Sequence, residues 1–296
     1  MTEPALVVGG GALGCLLSGL FAHQRPTTLL ARPGTAAAIV RRGGIQIDGI
    51  AAGESAPEVI DTPRHIPGAC VVVAVKAYDL ESTLTQLRPH LDATNEVVLL
   101  QNGIGIRSTG EELLGRPVTR GVTFLAAERT APGVVRCNAA GKTYFPIGAR
   151  AAAYWAAARL PVEMVADVHL YVWRKLAINA VINPLSALLG VENGALEPLR
   201  DTAAALIEEL VPVAAARGIH LDAEETLEKV IASMRQTARN PSSMLQDLRA
   251  GRSTEINWIN GAIVSLAERH GIPTPRHRLL TDLVRGAERR AARRSA

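Results

Sequence analysis

The stretch Ala5-Leu-Val-Val-Gly-Gly-Gly-Ala-Leu-Gly14 runs from a short apolar segment into a glycine turn, and then into an apolar helical pattern that continues to Ala22. Gly9, Gly11 and Gly14 fall at the spacing G-x-G-x-x-G. In that arrangement the first glycine permits a tight turn, the second lets the backbone approach a pyrophosphate, and the third lets the helix pack closely on the strand. The free N–H groups of the first helical turn are then aimed at an anion. Alone, such a motif is weak. Its place between a strand pattern and a helix pattern favours a dinucleotide cradle over a purely structural glycine turn.

Outward from this stretch, β-rich apolar runs alternate with helical patterns: Thr27-Thr-Leu-Leu30, Cys70-Val-Val-Val-Ala-Val75 and Glu96-Val-Val-Leu-Leu100. That alternation predicts a parallel, doubly wound sheet. Gly133-Val-Val-Arg136 and Lys142-Thr-Tyr-Phe145 are expected to form a late hairpin or edge pair turning at Gly141, and alanine-rich Ala151 to Ala158 a helix. From Val168 the pattern is helical in almost every window: Val168 to Leu189, Ala203 to Arg217, Glu224 to Ala238 and Ile256 to His270. The expected architecture is α/β, an N-terminal Rossmann-type doubly wound domain over residues 1–166 followed by an all-α domain over 167–296.

Composition narrows the function classes. With 296 residues, 48% of them hydrophobic and 20% charged, the chain can bury a sizeable core. Cys15, Cys70 and Cys137 are odd in number and far apart, so neither a disulfide framework nor a metal cluster is expected, and a reducing cytoplasm is the default compartment. The opening shows no basic segment followed by an apolar run, and no apolar stretch reaches the ~18 residues of a membrane helix. The net charge of +4 draws on Arg289, Arg290, Arg293 and Arg294, read as a solvated, frayed terminal helix. Aromatic residues, at 3%, are too sparse for a base-stacking platform, so nucleic acid is set aside.

The second strand ends in Leu30-Ala-Arg-Pro33, with no acidic neighbour in the chain. A carboxylate there would hold a ribose 2′-hydroxyl, whereas Arg32 suits a 2′-phosphate, so NADP(H) is expected over NAD(H). Lys76 and Asn102 also follow the carboxyl ends of strand patterns, where such a sheet places its ligand. Either residue could instead be an ordinary loop position, and Asn-Gly is a common turn.

In the second half, Lys175, Asn179 and Asn183 recur every fourth residue of an apolar helix, forming a polar stripe that lines a site or faces solvent. Pro184 is expected to distort that helix. Asn240-Pro-Ser-Ser-Met244 reads as a helix start with Asn240 as N-cap, its N–H groups and two hydroxyls suited either to simple capping or to receiving a carboxylate. Glu255 is expected early in the following helix.

Taken in order, Gly9 to Gly14, Val75-Lys-Ala77, Gln101-Asn-Gly-Ile-Gly105, Trp173 to Pro184, Glu192-Asn-Gly194, Ser242 to Asp247 and Thr254-Glu255 make the chain resemble the ketopantoate reductase (2-dehydropantoate 2-reductase) family over essentially its whole length. The resemblance implies NADPH-dependent reduction of 2-dehydropantoate to (R)-pantoate, a step toward pantothenate and coenzyme A. By motif it implies Lys175 as general acid and Glu255 as its catalytic partner at the hydroxyl and cofactor end. It implies substrate contacts at Lys175, Asn179, Asn183, Asn193 and Ser243. The cofactor contacts it implies are Gly9, Gly10, Gly11, Ala12, Leu13, Gly14, Arg32, Lys76, Asn102, Ala126 and Glu255. Asn257-Trp258 departs from the more familiar Asp-Tyr. The partners expected are a small 2-oxo acid and, for assembly, a second copy of the chain as a homodimer.

Two other readings stand beside this one. A β-hydroxyacid dehydrogenase also has a lysine with an asparagine four residues on, but its glycine-rich signature is missing, since Val165 to Trp173 contains no glycine. A non-catalytic NADP(H) sensor should have lost the lysine stripe, which is intact.

Overall fold

The computed structural model describes the backbone of residues 2–295 and the side chains of residues 2–291. Of the basic terminal cluster, Arg289 and Arg290 are exposed, while the side chains of Arg293 and Arg294 lie outside the described residues. The chain divides into two compact units, Met1–Gln101 with Gly105–Val168, and Asn102–Ile104 with His169–Ala296.

The first unit carries β1 (Ala5–Val8), α1 (Ala12–Ala22), β2 (Thr27–Leu30), α2 (Pro33–Arg42), β3 (Ile45–Gly49), β4 (Gly53–Ser55), β5 (Glu58–Ile60) and β6 (Cys70–Val73). A 3-10 turn (Ala77–Asp79) leads into α3 (Leu80–Leu87), followed by β7 (Glu96–Leu99), α4 (Ile106–Leu114), β8 (Thr119–Arg120), β9 (Val122–Ala131), β10 (Val134–Pro146), α5 (Ala151–Ala157) and β11 (Val162–Val165). One parallel sheet has the order β5-β2-β1-β6-β7-β8. β1, β2 and β6 are buried at every position, as strands covered on both faces must be. Strand order reverses between β1 and β6, where a doubly wound sheet opens its ligand crevice. Val8 pairs with both Leu30 and Val73, so the three strands end level and their loops start side by side.

A second sheet, in the order β11-β10-β3-β4 with β9 also on β10, lay beyond the sequence reading. The expected hairpin at Gly141 is corrected here. Apart from Gly133, both of its proposed strands lie within β10, whose antiparallel partner is β9, and the chain turns at Pro132-Gly133, where Gly133 has φ 75°. Gly141 marks a close strand approach, since a Cβ there would lie 2.2 Å from the Phe124 carbonyl oxygen. α1 serves both sheets: Cys15, Leu16, Leu17 and Phe21 share one core with Val7, Leu29, Ile45, Ile47, Val135 and Phe145. Trp155 closes that core edge-on to Phe21 (5.2 Å) and Phe145 (4.9 Å).

The second unit is helical: α6 (Val168–Leu189), a 3-10 segment (Asn193–Leu199), α7 (Arg200–Ala215), α8 (Ala223–Gln236), α9 (Ser243–Arg249), α10 (Asn260–Arg269) and α11 (Pro275–Ser295). α6 is central. Leu176, Ala177 and Ala180 pack with residues of α7, α9, α10 and α11, while Val181, Ile182 and Leu185 pack with α7 and α8. No helix among the described residues is long and apolar enough to cross a membrane.

Pro184 lies inside α6, which continues past it to Leu189. It lacks the N–H that would bond the Ala180 carbonyl, and the buried Asn260 side chain donates to that carbonyl instead, at 2.9 Å. The same Asn260 nitrogen lies 3.0 Å from His277 Nδ1, and His277 Nε2 lies 2.9 Å from the Leu206 carbonyl oxygen. These contacts suit a neutral ring that accepts at Nδ1 and donates at Nε2. Burial pushes the His277 pKa below its ordinary 6.5. The unfolded chain therefore binds the extra proton more readily. The neutral ring's contribution is complete above about pH 6.5 and is lost as pH falls through the lower folded value. Urea midpoints at about pH 7.5 and about pH 5.5 are expected to differ less in His277→Gln than in wild type; equal differences would count against this assignment.

Candidate active site

In the first unit the glycine turn is built by contact. Gly9 has φ 119°, and a Cβ on Gly14 would lie 1.8 Å from the Gly9 carbonyl oxygen, so only glycine lets α1 approach β1 this closely. A Cβ on Gly10 would meet Ala31 and Thr35 at 2.8 Å, which presses the turn against the start of α2. At Gly11, by contrast, an added Cβ would meet nothing within 4 Å. Gly11 is the N-cap of α1, provides no side-chain cap, and no acid stands in the first turn. Open space above Gly11 and the first-turn N–H groups of Ala12 and Leu13 therefore make a cradle that fits a dinucleotide's phosphates.

Arg129, from β9, is a cation the sequence reading missed: its guanidinium donates to the Gly10 carbonyl at 3.1 Å. No local pattern marks it, because only the second sheet carries it to the turn. Ala126 lies in the same strand, half-buried, where the pairing with β10 shifts register. Lys76 is half-buried at the start of the 3-10 turn after β6. Arg32, at the N-terminus of α2, has no acidic neighbour in the chain, but the fold supplies one: its guanidinium sits 2.8 Å from the Asp79 carboxylate. Just behind the cradle, burial lifts the Cys15 thiol to about 11, and burial also raises Cys70 and Cys137, so all three stay protonated and are poor nucleophiles.

The loop after β7 is braced from beneath. Arg120, 5% exposed, donates to the carbonyls of Leu99 (2.8 Å), Gly121 (2.6 Å) and Gln101 (2.5 Å). The Gln101 amide donates to the Val73 and Val75 carbonyls at 2.9 and 3.1 Å.

In the second unit Asn102 Nδ2 donates to the Glu255 carboxylate at 2.8 Å, and Asn179 Nδ2 approaches Asn102 Oδ1 at 3.4 Å. Residues far apart in the chain thus form one polar cluster, and each asparagine amide keeps further hydrogen-bonding capacity. Gly103 makes this placement possible: its φ is 93°, and a Cβ would lie 2.2 Å from the Trp258 carbonyl oxygen. Glu255 is 4% exposed and precedes its helix instead of beginning it, because α10 starts only at Asn260, after a turn in which the Glu255 carbonyl accepts from Trp258 and Ile259. Asn257, at the departure from the familiar pattern, accepts two hydrogen bonds from the Arg285 guanidinium, at 2.9 and 2.7 Å.

Along α6, Lys175 and Asn179 are half-buried and Asn183 is 5% exposed, so the stripe is not an ordinary solvent face. Asn193 donates through Nδ2 to Thr237 at 2.9 Å, while its Oδ1 is buried without a hydrogen-bond partner among the described residues. Such an acceptor costs about 1–3 kcal/mol unless something donates to it, and a ligand hydroxyl is a suitable donor. The cap of α9 is Ser242, whose hydroxyl accepts from the Leu245 N–H at 3.1 Å, and this corrects the reading of Asn240 as N-cap. Asn240 instead donates its N–H to the Thr237 carbonyl and accepts the Asn193 N–H, consistent with the extended backbone required before Pro241. The half-buried Ser243 hydroxyl is not part of the cap.

The family models described as "Ketopantoate reductase PanE/ApbA" and "Ketopantoate reductase PanE/ApbA C terminal" match residues 5–150 and 167–288. The 2-dehydropantoate 2-reductase of Halobacterium salinarum is 35% identical over 303 residues, covering 96% of this chain and 98% of the relative. A PanE/ApbA family ketopantoate reductase from Ralstonia eutropha superposes with a TM-score of 0.88 at 31% identity, covering 98% of this chain and 99% of that one. A D-mandelate dehydrogenase solved with NADH and anilino(oxo)acetate shares the fold, with a TM-score of 0.90 at 24% identity and coverage of 98% and 99%. The glycine cradle, the α6 stripe and the Asn102–Glu255 pair thus stand in a chain that belongs to the ketopantoate reductase family.

Proposed function

We propose that the protein reduces the keto group of 2-dehydropantoate to give (R)-pantoate, with NADPH as reductant, in the route to pantothenate and coenzyme A. The supporting observation is the polar cluster of the helical unit, Asn179 with Asn102 and Glu255, in a chain that aligns along nearly its full length with several relatives carrying that enzyme's name. When bound, the nicotinamide supplies a hydride for C2.

The chain's own groups do the rest. The glycine cradle and Arg129 hold the pyrophosphate, with Arg32 and Lys76 as further cations for the cofactor phosphates. Asn183 and Asn193 offer hydrogen bonds to the substrate, with Asn193 Oδ1 accepting from a hydroxyl, and Ser243 donates to its carboxylate. Lys175 Nζ donates to the keto oxygen, stabilises the negative charge that develops there and gives up a proton as the alcohol forms. Glu255, held by Asn102, accepts a hydrogen bond from the new hydroxyl.

The test is NADPH or NADH oxidation, followed at about 340 nm, with ketopantoate and a panel of other 2-oxo acids. Rapid NADPH oxidation with ketopantoate alone is the expected result. Turnover only with another acid would replace the substrate, and silence throughout would favour a binding module without turnover.

A further inference from the structure

β2 and β6 lie on opposite sides of β1, so the residues that follow them stand two strand spacings apart, roughly 10 Å. Arg32 follows β2 and Asp79 follows β6, and their side chains meet at 2.8 Å. The ion pair therefore reaches across the line of β1, whose own loop is the glycine cradle. Asp79 ends the 3-10 turn and precedes α3 in helical backbone conformation (φ −95°, ψ −4°), not the extended one from which an aspartate accepts a capping bond from its own helix. It makes no such bond. With 29% of its side chain exposed against 79% for Arg32, Asp79 is the better anchored partner and the guanidinium the freer one.

We propose that Asp79 sets the choice between the 2′-phosphorylated and the unphosphorylated dinucleotide. The inference rests on the dinucleotide reading of the cradle. A 2′-phosphate has to draw Arg32 away from Asp79 and leave that carboxylate uncompensated nearby. A 2′-hydroxyl can donate to Asp79, which supplies from after β6 the acceptor that is missing after β2. The preference for the phosphorylated form is thereby narrowed, and NADH becomes an acceptable cofactor.

Calorimetric titration of the full chain with 2′,5′-ADP and with 5′-ADP separates this idea from the reading beneath it, without calling on activity. The quantity read is the ratio of the two affinities. Asp79→Asn preserves shape and loses no capping bond, and it is expected to raise the ratio in favour of 2′,5′-ADP about fivefold at low salt, less at high salt. Arg32→Ala is expected to lower the ratio. If Asp79→Asn leaves the ratio at the wild-type value while Arg32→Ala lowers it, the role of Asp79 is overturned and the NADP(H) reading stands. If the wild-type ratio is near one and neither substitution moves it, the NADP(H) reading falls and the Asp79 proposal falls with it.

Discussion

Replacing Lys175 with alanine is expected to lower kcat by at least about 10²-fold, the low end for removal of a positioned acid. Lys175 is a half-buried side chain on α6, and the packing that anchors this helix runs through its neighbours Leu176, Ala177, Ala180 and Val181. Truncation should therefore leave the fold in place, and nucleotide affinity, whose phosphate contacts are assigned to the glycine cradle, Arg129, Arg32 and Lys76, should change by less than about twofold. The loss should be in kcat and in kcat/KM together, because the ammonium is most needed once negative charge has grown on the keto oxygen. Steady-state kinetics with a thermal melt as the folding control checks this. An unchanged kcat would remove Lys175 from the role of acid.

Two single-methyl substitutions in the glycine turn are expected to fail in opposite ways. Gly14→Ala places a Cβ 1.8 Å from the Gly9 carbonyl oxygen, so α1 must move away from β1. Since α1 packs in the core that serves both sheets, this overpacking should cost about 1–3 kcal/mol or more of stability and abolish tight nucleotide binding as well. Gly11→Ala points its methyl into space where, its chain neighbours aside, the protein has no atom within 4 Å. Its melting temperature should stay close to wild type. Its NADPH affinity should fall about tenfold or more, as expected when a methyl blocks a charge-assisted hydrogen bond worth about 1.5–3 kcal/mol. Paired denaturation and nucleotide titrations separate the two. If Gly11→Ala bound NADPH as tightly as wild type, the pyrophosphate would have to lie elsewhere.

Much of this molecule is legible in its sequence because the relevant physics is local. A glycine spacing between a strand pattern and a helix pattern reports its own backbone geometry, and the recurrence of Lys175, Asn179 and Asn183 at every fourth position places them on one helical stripe whatever surrounds it. Buried parallel strands announce themselves as unbroken apolar runs, and β1, β2, β6 and β7 lie within the runs so identified. The family resemblance draws on the same kind of signal, short motifs in a definite order.

Tertiary structure decided everything that depends on which segments meet. Gly141 looks like a turn in isolation and is a close strand contact in the sheet, because a glycine can mark either a bend or the near approach of another backbone. Asn240 and Ser242 are both competent caps, and the turn closing α8 engages the first and leaves the second to cap α9. The Ala180 carbonyl, left without a helical donor by Pro184, is met by Asn260, 80 positions along the chain, a partner that no local rule supplies. The acid beside Arg32 was invisible for the same reason. Along the chain Arg32 has no acidic neighbour, and only the order of strands in the parallel sheet brings Asp79 to it.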